Sequence, residues 1–260
     1  MSTVTLPSPH PHFALPTIRL VDSARPFRWL YLGGQDLLRT WPASLGLGIL
    51  FTVAGLFLVD WAWTRPHLAM ALTSGFLLMA PFLALGFYAL SRQLEHRHRL
   101  GWRLLFHGIS RNAASIGLYA LMLAFVLSVW ERVSAILVGL FLYNGVVENG
   151  YFSFSLLFSS SHIPFDIAYV LFGAILAGGV FILSVVTLPM LLDRRVDTVT
   201  AIMTSIWAVR ENMLPMLVWA GIIATLGVIG VASGLYAFAV IFPLLGHTTW
   251  HAYRDMVGHT

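Results

Sequence analysis

The residues best placed to do chemistry lie near the C-terminus, in Phe242-Pro243-Leu244-Leu245-Gly246-His247-Thr248-Thr249-Trp250-His251-Ala252-Tyr253-Arg254. His247 and His251 are four apart, so on a helix their imidazoles share one face. Such a pair can bind a metal or ligate haem. Haem held between helices usually takes histidines from facing segments, and only His107 is otherwise near this end. The plainer reading places the pair where a helix meets the cytoplasmic interface, with Trp250 and Tyr253 as interface anchors. Metal or haem at His247 and His251 is thus carried as an alternative, and no cofactor is expected. A second polar group, Asp60, His67, Glu131, Arg132, Glu148, His162 and Asp166, falls at the opposite ends of the apolar runs. It can form an outward-facing vestibule or metal site. Pairing of Asp60 with Arg65 and of Glu131 with Arg132 would lower the cost of charge at that depth.

Other chemistry is excluded or unsupported. With no cysteine there are no disulfides, thiolates or cysteine-ligated metals. All 15 basic residues are arginine, so a Schiff-base lysine and a Walker-type phosphate site are impossible. No nucleophile elbow, HExxH or glycine-rich phosphate loop occurs, and catalytic residues are not expected. The arginines lie in loops between apolar runs, which points to membrane orientation rather than nucleic acid.

The elements that must position these residues are membrane helices. Of the 260 residues, 58% are hydrophobic and 10% charged, with a mean hydropathy of +0.81. A soluble domain has about 25% charged residues. Residues 1–23, with Pro7, Pro9, Pro11 and Pro16, read as a flexible cytoplasmic tail, and 24–260 as one membrane domain. From Pro26, the positions Phe27, Leu30, Tyr31, Gly34, Leu37, Leu38 and Trp41 mark the apolar face of an amphipathic helix. Arg28, Gln35, Asp36 and Arg39 take its other face. Six spans follow, at about Ala43–Trp63, Leu68–Leu90, Ala113–Trp130, Ile167–Leu191, Leu214–Val231 and Gly234–Tyr253, with Ala232–Gly234 as a turn. Further amphipathic stretches run through Trp102, Leu105, Phe106 and Ile109, and through Val199, Ile202, Met203, Ile206 and Met213, the latter capped by Asp197.

The order suggests three repeats, at about 24–92, 97–192 and 197–256, each an amphipathic helix followed by a transmembrane hairpin. Each second span carries a proline tripeptide: Pro81-Phe82-Leu83, Pro189-Met190-Leu191 or Pro243-Leu244-Leu245. The carbonyl each proline frees must find a partner inside the protein. With both termini inside, only Arg65 and Arg132 of the 15 arginines fall outside. The fold class expected is all-α, a polytopic six-helix membrane protein.

Four segments carry a resemblance: Pro26-Phe27-Arg28-Trp29-Leu30, Ser74-Gly75-Phe76-Leu77-Leu78-Met79-Ala80-Pro81, Ser184-Val185-Val186-Thr187-Leu188-Pro189-Met190-Leu191-Leu192-Asp193, and the motif from Pro243 to Arg254. Together, over about residues 25–257, they resemble bacterial predicted integral membrane proteins grouped as a domain of unknown function. The resemblance implies the bacterial inner membrane and supplies no activity. The expected role is that of a non-enzymatic accessory, scaffold or assembly component, with lipids and other membrane proteins as partners. The alternatives are a small-solute permease lined by the repeats, and the haem- or metal-handling protein already described.

Overall fold

The computed structural model describes residues 16–62, 75–76, 78–96, 108–141 and 163–258. The main helices among them are α1 (Arg25–Arg39), α2 (Trp41–Ala62), α3 (Ala80–Leu83), α4 (Leu85–Glu95), α5 (Ala113–Phe141), α6 (Ile163–Ser184), α7 (Thr187–Asp193), α8 (Thr198–Glu211), α9 (Met213–Ala232) and α10 (Phe238–Met256). No strand forms among the described residues. A single antiparallel bridge joins Ile18 to Val257.

Four stretches are long and apolar enough to cross a bilayer: Trp41–Trp61, Ala113–Phe141, Ile163–Asp193 and Met213–Ala232. Each overlaps an expected span. The expected Leu68–Leu90 lies partly outside the described residues, as do His67, His107, Glu148 and His162. The helix from Ala113 runs unbroken for 29 residues, about 44 Å at 1.5 Å per residue. It overshoots a hydrocarbon core of about 30 Å, as the charges at Glu131 and Arg132 foretell.

The long apolar run after Met213 does hinge. Ser233 caps α9, Gly234 follows at φ 68°, and Leu235 N–H donates to Gly230 O at 3.0 Å while Gly234 N–H donates to Val231 O at 2.9 Å. This paired closure is a Schellman motif, which favours glycine at the left-handed position. The chain then enters α10, which packs against α1, α2, α4 and α9. The C-terminal half of α10 is rich in polar and aromatic side chains that face inward, Trp250 and Tyr253 among them. Both are fully buried, so they are core residues and not interface anchors.

The two well-described amphipathic helices turn most of their bulky apolar residues away from the bundle. α1 buries Pro26, Trp29, Gly33 and Asp36, at spacings of three and four, while Phe27, Tyr31, Leu38 and the flanking Trp41 stay exposed. α8 buries Thr198, Ala201, Thr204, Ser205 and Ala208 and exposes Val199, Met203 and Trp207. Apart from Trp29, small and polar residues thus pack on the bundle, and most of the large apolar ones point away. In a bilayer this is the favourable arrangement: lipid accepts bulky apolar groups, and small side chains let backbones approach.

The proline-bearing helices solve their backbone problem in separate ways. Between α6 and α7 the helical ladder opens at Val185–Val186. Ser205 of α8 enters the gap: its hydroxyl accepts from Val186 N–H at 3.2 Å and donates to Ile182 O at 2.7 Å. A kink with a side chain inserted into the ladder is a recognised cause of helix bending. In α10, Pro243 stays within a continuous helix. Its freed carbonyl, on Ala239, lies against Gly48 of α2, where a Cβ would collide with that oxygen and approach the Pro243 ring at 2.8 Å.

Candidate functional site

α1, α2, α4 and α10 bring six polar side chains together: Asp36 and Thr40 from α1 and its end, Ser44 from α2, Ser91 from α4, and His247 and His251 from α10. Asp36 lies on the Trp29–Gly33 stripe because position 36 is one turn on from 33 and two from 29. His251 Nε2 lies 2.9 Å from Asp36 Oδ2, and Ser91 Oγ donates to the same oxygen at 2.7 Å. His247 is fully buried and Asp36 is 6% exposed. The two imidazole nitrogens of His247 meet Ser44 Oγ at 2.8 Å and Ser91 Oγ at 2.7 Å. Thr40 lies 2.7 Å from Ser44 and donates to Asp36 O at 2.7 Å. The Phe87 ring packs edge-on against His247, with centroids 5.8 Å apart.

Counting protons orders this network. A hydroxyl has one proton to give. Ser91 spends its proton on Asp36, so it accepts from His247 Nδ1–H. Thr40 spends its own on Asp36 O, so the single Ser44 proton serves either the Thr40 oxygen or Nε2 of His247. For Asp36, burial pushes the carboxyl up, but the hydrogen bonds from His251 and Ser91 and the nearby imidazoles outweigh it. The net direction is down from the ordinary 3.8.

The structure therefore brings His247 and His251 to one carboxylate. Both nitrogens of His247 already face hydroxyls, so metal ligation there would require displacing Ser44 or Ser91. Among the described residues no group of three or more His, Asp or Glu is disposed to hold a metal. At the other end of the helices, Glu131 and Arg132 pair at 3.4 Å as expected. Asp60 is exposed, and Asp166 Oδ1 is buried without a hydrogen-bond partner. His67, His162 and the expected partner Arg65 lie outside the described residues.

A second network flanks the first. Asp193, ending α7, receives Tyr253 O–H at 2.9 Å and Arg254 Nη1 at 3.3 Å, and Arg92 forms an ion pair with it, Nε lying 3.2 Å from Oδ1. Glu95 accepts from Arg254 and from Trp250 Nε1, the latter at 3.1 Å. Arg194 donates to Tyr253 Oη at 2.9 Å and Gly258 O at 2.7 Å. Asp36, Thr40, Ser44 and Ser91 were not singled out from the sequence. For Asp36 the available signal was its register with Trp29 and Gly33; for the hydroxyls there was none, because Ser and Thr are common in helix interfaces.

With several membrane-spanning helices, this is an integral membrane protein. Residues 68–193 match the family described as "Predicted integral membrane protein (DUF2189)". No curated protein and no solved structure matches the chain. The matched stretch contains Ser91, Arg92, Glu95 and Asp193. Asp36, Ser44, His247 and His251 lie outside it.

Proposed function

We propose that the protein is a non-catalytic scaffold or assembly component of the bacterial inner membrane, with six spans arranged as three repeats and both termini in the cytoplasm. The observation that carries the scaffold reading is the closure of the buried polar network. Asp36, Ser44, Ser91, His247 and His251 are engaged with one another and tie α1, α2, α4 and α10 together, as structural polar contacts in membranes do. Outward, α5 and α6 expose Leu118, Leu121, Phe125, Ile136, Leu140, Val170, Leu171 and Ile175. These suit packing against lipid or the apolar helices of another membrane protein. The arginine distribution in the sequence supports the cytoplasmic placement of the termini.

Purification from native membranes in mild detergent, with quantitative mass spectrometry of what is retained, tests the role. A membrane-protein partner in fixed stoichiometry, retained through size exclusion, is expected. A chain that emerges alone as a monomer from mildly solubilised membranes rules the scaffold reading out.

A further inference from the structure

The charges around Asp193 do not balance. Four guanidiniums gather there, since Arg92, Arg194 and Arg254 reach the Asp193 carboxylate and Arg111 donates to Asp193 O at 2.5 Å, and the exposed Arg195 follows Arg194 in the chain. Among the described residues the carboxylates facing them are Asp193 and Glu95, and Glu95 is engaged by Arg254 and Trp250. Asp197 is close in sequence, but its carboxylate is turned onto Thr200, receiving the backbone N–H at 2.9 Å and the hydroxyl at 2.6 Å. Asp36 and Asp255 are committed elsewhere, to His251 and Ser91 and to Trp29 and Arg25. After burial, the charges of Arg92 and Arg195 push the Arg111 guanidinium down from its ordinary value, against the pull of Asp193.

An excess of cations this close together calls for an anion from outside the chain. Its depth is set by the helices. Arg111 lies two residues before the stretch Ala113–Phe141, and Arg194 and Arg195 directly follow the stretch Ile163–Asp193. Those are headgroup positions, and guanidinium forks match phosphate oxygens in geometry as well as charge. We propose that Arg92, Arg111 and Arg195, beside Asp193, bind the phosphate of an anionic phospholipid headgroup. Basic pockets between membrane helices recognise such headgroups by the same chemistry. This inference needs only that the chain sits in a bilayer, and it stands or falls separately from the scaffold role.

The experiment uses the full chain in detergent, titrated with phosphatidylglycerol, phosphatidylcholine or inorganic phosphate and read by native mass spectrometry and thermal unfolding. Phosphatidylglycerol should bind about tenfold more tightly than phosphatidylcholine, as two or three arginine contacts allow. R111Q/R195Q should reduce that preference to within about twofold, while R132Q, farther along α5, should leave it intact. Equal binding of the two lipids, or an undiminished preference in R111Q/R195Q, overturns the proposal. Binding of inorganic phosphate with no preference for phosphatidylglycerol overturns the lipid assignment in favour of a free phosphate. Should the double variant fail to fold, the wild type decides alone. Phosphatidylglycerol must then raise Tm above phosphatidylcholine, and salt raised from about 0.1 M to about 1 M must erase the difference. Equal Tm values in the two lipids overturn the proposal.

Discussion

Asp36 is a buried carboxylate whose worth lies in what it satisfies. Asp36→Ala strands His251 Nε2–H and the Ser91 hydroxyl. A buried donor left unsatisfied costs about 1–3 kcal/mol, so Tm in detergent should fall by several degrees, measured by tryptophan fluorescence. The direction of its pKa shift fixes a pH dependence. The folded-state value lies below the unfolded 3.8, so the Asp36 contribution is fully present above that value and is lost as pH falls through it. Stability followed from about pH 6 to about pH 3 should therefore decline more steeply in the wild type than in Asp36→Asn. Equal slopes would show that Asp36 is not linked to folding. The sequence marked His247 and His251 because histidines four apart are conspicuous on any helix. It hid Asp36 because an acid on an amphipathic helix ordinarily faces water. A helix lying between lipid and bundle has two apolar-contacting sides, and the side with the large residues, Phe27, Tyr31 and Leu38, is here the outer one.

Among the elements, small residues settle how helices meet. Ser205 completes the open ladder between α6 and α7, so Ser205→Ala leaves Val186 N–H and Ile182 C=O without that bridge. An unsatisfied buried polar group costs about 1–3 kcal/mol, and faster amide exchange at Val186, relative to the rest of α7, is the expected signature. Gly48→Val would force α2 off α10, because the Ala239 carbonyl and Pro243 ring occupy the space. A core backbone shift of this kind costs about 1–3 kcal/mol, and disulfide trapping between cysteines placed on α2 and α10 should slow markedly. Helix existence was legible from apolar periodicity, and so were the Asp197 cap, which receives Thr200 N–H, and the turn at Ser233–Gly234. The contacts of Ser205 and Gly48 were not, since each residue is ordinary in its own helix and acquires its role only from a distant neighbour.

For the whole molecule, composition was enough to place the chain in a membrane, and four of the expected crossings coincide with helices of the right length and hydropathy. α10 departs from the pattern because the half of it that carries His247, Trp250 and Tyr253 is buried against other helices, where polar side chains are matched by polar neighbours. Its average hydropathy therefore understates how deeply it is enclosed.

The short pairing of the chain's two ends has a topological consequence. Arg19 N–H donates to Met256 O at 2.8 Å and Gly258 N–H to Thr17 O at 2.9 Å, while Asn212 holds the Val21 N–H and Arg19 O beside them. Segments joined by backbone hydrogen bonds share one compartment, so the proposed placement of both termini on one side goes with an even number of crossings between Arg19 and Met256. Reporter fusions at the two termini should consequently give the same compartment, and opposite compartments would show that this pairing does not form in the membrane.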